Sequence, residues 1–281
     1  MHEIMVTTIT LKALVAALLA SSLSAVLGVY VVLRRLSSLG AAIAHTTFAG
    51  ALVSYIISLD PIIGSMFFGL GLALLISYSR AGKEGFAESI VGAAFGISAA
   101  VAALALSFSR EYSSIAFSYL VGDVLGVSDR ELIVLALTFI LIVTLIILFY
   151  KELKYSTLDP ETSEAMGLRV SIYEYFFNVL TSLVLVAEIR IVGLILAEVY
   201  LVAPAAAALQ FTHSIEGTLM LAIIMAVSSA LGGFMLSFSF NTPVSATIGI
   251  LISLIYVISL LVSPKRKGKC SVASLRPKRK I

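Results

Sequence analysis

The chain has 281 residues, of which 60% are hydrophobic and 12% are charged, and its formal net charge is +3. A soluble domain is roughly 45–50% apolar and about 25% charged, so this composition excludes an ordinary soluble protein. It predicts an all-α polytopic membrane protein of the cell membrane, because a backbone that crosses lipid must satisfy its own hydrogen bonds.

Nine apolar stretches are long enough to cross a bilayer, which takes about 20 residues. They are residues 9–33, 39–59, 61–79, 87–108, 131–149, 173–189, 191–210, 217–238 and 243–262. A further stretch, 113–127, is apolar but short, and Gly122, Asp123 and Gly126 interrupt it. We interpret this stretch as a re-entrant or surface segment.

Basic residues orient the chain. Residues 265–281 form a basic tail after the transmembrane domain 1–264, and we expect the tail to lie in the cytoplasm near anionic lipid headgroups rather than on nucleic acid. With nine spans, several basic loop residues then share the cytoplasmic side. These are Arg34, Arg35, Arg80, Lys83, Lys151, Lys154 and Arg169. Retention of positive charge on that side supports the orientation.

The polar loop 151–170 carries signals for a short helix on the cytoplasmic surface. Asp159 suits the N-cap, and Pro160 suits the first helical position, where no N–H is needed. Glu161 places negative charge in the first turn, and Gly167 can take the left-handed conformation that ends a helix. A plain solvated connector is the alternative. Because start and stop signals stand so close together, we favour a docking element for a cytoplasmic partner.

Two ionisable residues, His45 and Glu198, fall well inside predicted spans. Such groups usually face a cavity or a partner, although each can also be a neutral side chain bonded to a neighbouring helix. Together they favour a site for a divalent transition metal, which imidazole and carboxylate both bind. Asp123 is a third candidate, with a turn residue as the alternative. Glu188 and Arg190 lie at the end of a span, where the simple interpretation is that they pair with each other.

Several familiar catalytic motifs are absent from the sequence. There is no GxxxxGK[ST] phosphate loop, no HExxH and no GxSxG. We therefore expect the chain to be no enzyme and to hold no permanent cofactor. Energy for transport has to come from a partner protein or from an ion gradient.

Five stretches resemble the membrane permease of ABC-type zinc and manganese uptake systems. They are LRRLSSLGAAIAHTTFAGALVSYII (33–57), SYLVGDVLGVS (118–128), LDPETSEAMGL (158–168), VGLILAEVYLVAPAAAA (192–208) and NTPVSATIGI (241–250). The resemblance implies a homodimer with one ATPase subunit on each cytoplasmic loop. It also implies an extracellular metal-binding lipoprotein that delivers the cargo, zinc or manganese.

The resemblance also gives the short capped helix a role. It implies a coupling helix that sits in a groove of the ATPase. The residues of this segment that we expect to matter for coupling are Asp159, Pro160, Glu161, Ala165 and Gly167.

The sequence departs from the family pattern at a position near His45. Family members usually carry an Asp four residues before the histidine, on the same helix face, and here that residue is Ala41. Many members have an aliphatic residue where Glu198 stands. We therefore expect Glu198 to supply the missing carboxylate from another helix.

Two other kinds of transporter compete with this interpretation. A gradient-driven carrier or channel could use Glu198 as a proton site, although inverted repeats and paired broken helices, which would favour it, are not seen. An ABC permease for a metal chelate such as cobalamin or a siderophore is generally longer than 281 residues. Histidine and carboxylate ligands suit zinc and manganese alike, so the sequence does not rank the two metals.

Overall fold

The computed structural model describes residues 2–80, 84–107 and 110–265, and these residues are built from helices. We number the helices α1 to α12 in chain order. They are α1 His2–Leu33, α2 Ser37–Ile56, α3 Pro61–Arg80, α4 Glu84–Ser107, α5 Arg110–Val121, α6 Asp129–Leu148, α7 Tyr150–Leu158, α8 Pro160–Ala165, α9 Val170–Val192, α10 Leu194–Ala208, α11 Ile215–Phe240 and α12 Val244–Val262.

The predicted spans correspond to nine of these helices. Seven are long and apolar enough by themselves to cross a membrane: α1, α2, α3, α6, α9, α11 and α12. The other two predicted spans contain the shorter apolar segments Ser89–Ala105 of α4 and Leu194–Ala208 of α10. The prediction of an all-α, multi-pass membrane protein is confirmed. Most of the predicted basic tail, residues 266–281, lies outside the described residues.

Close approach of small residues brings the central helices together. A Cβ on Gly28 of α1 would stand 2.3 Å from the Leu201 carbonyl oxygen of α10. A Cβ on Gly50 of α2 would meet the Gly64 carbonyl oxygen of α3 at 2.4 Å. Backbones pack this closely in membranes where side chains are small. As a result, α10 packs against α1 on one side and against α2 and α12 on its other sides.

Ion pairs tie α6 to one end of the bundle. Arg130 pairs with Asp60, in the turn between α2 and α3, at 2.9 Å, and Asp129 pairs with Lys12 near the start of α1. This end is opposite Arg34, so we call it the outer face and the end with Arg34 the inner face. Helix α4 ends on the outer face and α6 begins there. Both ends of the connecting segment that contains α5 therefore lie on the same face of the bundle.

The stretch 113–127 contains a helix that is too short to cross a bilayer by itself. Helix α5 has 12 residues and is about 18 Å long, shorter than the hydrocarbon core. It ends at Val121. The next residue, Gly122, has φ +88° and lies against Gly193, whose φ is +85°. A Cβ on Gly122 would stand 2.4 Å from the Val192 carbonyl oxygen, so both breaks need glycine.

The predicted pairing of Glu188 with Arg190 is wrong. Arg190 pairs with Glu131 of α6 at 2.6 Å, on the outer face. Glu188 is fully buried and accepts a hydrogen bond from Ser24 of α1. Residues two positions apart on a helix point to different sides, which separates the two partners.

Candidate functional site

His45 of α2 and Glu198 of α10 meet inside the bundle. His45 Nε2 lies 3.0 Å from Glu198 Oε1, and their side chains are 23% and 29% exposed. The imidazole also lies against the ring of Phe95, with ring centroids 4.3 Å apart. Glu198 Oε1 itself is buried, and it has no other hydrogen-bond partner within the described residues. The two residues singled out in the sequence thus form one imidazole–carboxylate pair.

Two cavities lie along α10 and α12, and Glu198 lines one of them. The inner cavity, of about 320 Å³, is lined by Ser37, Ala41, Glu198 and Tyr256 among others. The outer cavity, of about 420 Å³, has an almost wholly apolar lining near the outer end of α12. Both cavities include Val199 and Ser253 in their walls. Together they form a trough that leads from one face of the bundle towards the other.

The position where family members usually carry an Asp and the position of the additional Glu both line the inner cavity. Ala41 and Glu198 line it together, although they come from α2 and α10. Ser37, Ala41 and His45 are spaced four residues apart, so they follow one face of α2. This arrangement fits the expectation that Glu198 provides from α10 the carboxylate that α2 lacks.

Asp123 lies in a turn and is not brought to this pair. Its Oδ1 accepts a hydrogen bond of 2.9 Å from the backbone amide of Gly126. Among the described residues there is no group of three His, Cys, Asp or Glu side chains arranged to hold a metal ion. The geometry therefore favours the turn role that the sequence left as the alternative.

The short helix expected on the inner face is α8. Asp159 caps it and accepts a hydrogen bond from the Thr162 amide at 3.1 Å, and Pro160 occupies the first position. Hydrogen bonds from Thr162, from its side chain and then its backbone, hold the pKa of Asp159 below its usual value. Gly167 has φ +89° and follows the helix, as its position predicted.

The exposed tip of α8 includes a residue that the sequence interpretation missed. Glu161 and Ala165 are exposed, and Met166 is 84% exposed directly after the helix. Met166 thus adds one large apolar side chain to the surface that α8 exposes. No distinctive signal marks Met166 in the sequence, because Ala165, Gly167 and Leu168 beside it are also non-polar.

Polar contacts fix α7, which leads into α8, to the rest of the bundle. Arg34, after the end of α1, donates to Thr157 and Ser156 at 2.9 Å each. On the other side Glu216, in the first turn of α11, accepts a hydrogen bond of 2.7 Å from Tyr150 and pairs with Lys154. Burial, and then the hydrogen bond to Glu216, raise the pKa of Tyr150, which stays a neutral donor.

The start of the basic tail is attached to the inner end of α10. The Lys265 ammonium donates to the carbonyl oxygen of Leu209 at 2.7 Å and to that of Thr212. Cations are favoured at helix C-termini because the last carbonyl groups have no partner within the helix. The helix that carries Glu198 is thereby held at its inner end.

Such a bundle, with a polar pair beside a trough and a capped helix on the inner face, defines a transport permease. The family model described as the ABC 3 transport family matches residues 6–263, and the chain belongs to this family. It is a multi-pass protein of the cell membrane, as predicted.

Individual proteins resemble the chain over most of its length. The manganese transport system membrane protein MntC of Listeria innocua is 31% identical, over 91% of this chain and 91% of that protein. The manganese import system permease protein ScaB of Streptococcus gordonii is 28% identical, over 91% and 92%. Among solved structures, PsaBC from Streptococcus pneumoniae in complex with Fab has a TM-score of 0.80 at 28% identity, covering 91% of this chain and 92% of that one.

Proposed function

We propose that the chain is the permease subunit of an ABC importer for a divalent transition metal, manganese or zinc. Two copies form the conduit, and separate ATPase subunits on the inner face hydrolyse the ATP. An extracellular metal-binding lipoprotein delivers the ion. The names of the relatives support manganese import, and the resemblance seen in the sequence supports the partners.

The pairing of His45 with Glu198 beside the trough carries this proposal. Mixed nitrogen and oxygen ligands suit manganese and zinc, and the partly exposed Glu198 also lines the inner cavity. Two ligands are fewer than the four that a structural zinc site uses. A site for cargo must release its ion, so a small ligand set from each copy suits passage rather than storage.

The partial exposure of His45 and Glu198 supports the proposal that a second copy of the chain covers them. About a quarter of each side chain is exposed on the face of α2 and α10. A charge facing hydrocarbon costs roughly 2.5–3.5 kcal/mol on insertion scales. A second copy placed against α10 and α12 would replace lipid there and close the trough into a conduit.

Contacts on the inner face suggest how the ATPase would act on this conduit. A displacement of α8 would be transmitted to α7, which directly precedes it. Arg34 joins α7 to the turn between α1 and α2. Helix α2 begins three residues later at Ser37, on the face that continues through Ala41 to His45. Movement of the coupling helix would therefore shift the wall that carries the histidine.

A compensating pair of substitutions tests the metal role. We expect Glu198→Gln to reduce manganese uptake at least about tenfold, as loss of a metal-site partner commonly does. Adding Ala41→Asp to that variant should restore uptake, since both positions line the inner cavity. Uptake is measured in vesicles that contain the permease, its ATPase and ATP. Unchanged uptake by Glu198→Gln, with Glu174→Gln of α9 as the matched control, would contradict the role.

A further inference from the structure

A carboxyl group that the metal path does not use lies in the centre of the bundle. Glu188 of α9 is fully buried, and so are Ser24 of α1, Tyr200 of α10 and Ser229 of α11. The Ser24 hydroxyl donates to Glu188 Oε1 at 2.6 Å, while Glu188 Oε2 has no hydrogen-bond partner within the described residues. One oxygen atom of this carboxyl group is therefore left without an assigned role.

The serine hydroxyl groups beside Tyr200, the titratable neighbour of Glu188, already have their own acceptors. Ser229 donates to the Ala226 carbonyl oxygen at 2.8 Å, and its oxygen lies 3.4 Å from the Tyr200 hydroxyl. Ser21 donates to the Leu18 carbonyl oxygen at 3.0 Å. Metal ions need several oxygen ligands, whereas Glu188 Oε2 is the one unpartnered oxygen atom of this group. A proton is the ligand that a single free oxygen can bind.

Charges near Glu188 do not compensate an ionised carboxylate. Its own helix carries Arg190, which pairs with Glu131 of α6 instead. Within the described residues, its one side-chain partner is Ser24 of α1, and Tyr200 of α10 is its titratable neighbour. An isolated charge in a dry interior costs far more than a neutral acid, so the proton stays bound in this conformation.

We propose that Glu188 is a buried proton-binding site whose proton is released when the junction between α9 and α10 opens. Gly193 forms that junction, with φ +85°, between Glu188 on one helix and Tyr200 on the next. Helix α10 thus presents Glu198 to the inner cavity on one side and Tyr200 to this proton site on the other.

Linkage fixes the direction of the pH effect. Opening the junction lets water reach Glu188, and the hydrated carboxyl ionises in the ordinary range for glutamate. A higher pH therefore favours the open form, and a lower pH favours the closed form with its proton bound. In the proposed importer, transport would then depend on pH through a group separate from His45 and Glu198.

Infrared spectroscopy detects the bound proton directly. The full chain is studied in lipid nanodiscs at neutral pH. Its glutamate residues are labelled with a heavy carbon isotope, so that glutamate bands are identified by their isotope shift. We expect a band of a protonated carboxylic acid in the natural protein that is absent from Glu188→Gln and retained in Glu174→Gln. If Glu188→Gln does not fold, Ser24→Ala decides the question, because loss of its hydrogen bond should shift the band to higher frequency. No such band, or one unmoved by these changes, overturns the proposal.

Hydrogen exchange tests the link to opening. We expect amide exchange around Gly193 in the natural protein to outpace that in Glu188→Gln increasingly as pH rises. The ratio of the two rates should grow by up to about tenfold per pH unit, since one proton is released. A ratio that stays constant with pH contradicts the link. Neither measurement uses metal or ATP, so failure here is distinguishable from failure of the importer proposal.

Discussion

Glu188 and Glu198 lie on adjoining helices, and the protein gives their carboxyl groups opposite surroundings. Glu198 is partly exposed beside a cavity and a histidine, where a cation can reach it. Glu188 is fully enclosed and has one hydroxyl partner. The same side chain is therefore suited to a passing metal ion in one place and to a proton in the other.

The sequence identified His45 and Glu198 singly but gave weaker guidance on Glu188. Placement inside apolar spans was enough to mark the first two residues, because ionisable groups are costly there. Their direct contact depends on the packing of α2 against α10, and no local pattern encodes that packing. The pairing of Glu188 with Arg190 was predicted because the sequence does not show that Glu188 is buried in the centre of the bundle.

Arg34 is the residue through which we expect force to pass from α7 to the turn before α2. Its guanidinium donates to Thr157 and Ser156 and lies 5.0 Å from the centre of the Phe177 ring. A lysine keeps the charge but cannot make this forked, stacked set of contacts. Arg34→Lys should lower metal uptake while ATP hydrolysis by the complex continues. Arg35→Lys, at an exposed neighbouring position, is the control, and equal uptake by both variants would contradict the role.

At the scale of elements, α8 was the most predictable part of the chain. Its cap at Asp159, its proline at the first position and its terminating Gly167 act within one or two turns. Local signals of this kind do not depend on distant packing. Helix α5 shows the opposite case, because its end is set by the contact between Gly122 and Gly193, which lie far apart in sequence.

The exposed surface of α8 should determine coupling. Glu161→Lys combined with Ala165→Trp reverses a charge and adds bulk without touching the Asp159 cap. Because these side chains are exposed, we expect the fold to persist while less metal enters per ATP hydrolysed. The measurement is the ratio of uptake to phosphate release in reconstituted vesicles. His213→Lys, in the inner loop between α10 and α11, serves as the control, and an unchanged ratio in the double variant would rule out docking through α8.

For the whole molecule, composition was sufficient to predict the class, and the placement of basic residues predicts an orientation in the membrane. The nine apolar stretches and the basic loops are recognisable in the sequence without knowledge of the tertiary structure. The ion pairs of the outer face, such as Asp60 with Arg130, join segments that the sequence gives no reason to pair. The trough likewise exists only once α10 and α12 are packed together.

The trough face is where we expect the second copy to bind. Ile250 of α12 is 64% exposed and lines the outer cavity, whereas Leu148, at the end of α6, is 67% exposed on another helix. In a Cys270→Ser background, Ile250→Cys should give cross-linked dimers with a short thiol reagent. Leu148→Cys should remain monomeric on a denaturing gel. Equal cross-linking at both positions would place the interface elsewhere.

The requirement for a motor protein separates the importer from a gradient-driven carrier. Glu198 lines the inner cavity and contacts His45, and a carrier driven by an ion gradient can also use such a pair. The capped, exposed α8 favours a partner on the inner face over a plain connector. We expect vesicles that contain the permease alone to accumulate no manganese under an imposed proton or sodium gradient. Adding the ATPase and ATP should start uptake, and adding a non-hydrolysable ATP analogue should not. Accumulation by the permease alone would show that its energy comes from the gradient and that α8 serves another purpose.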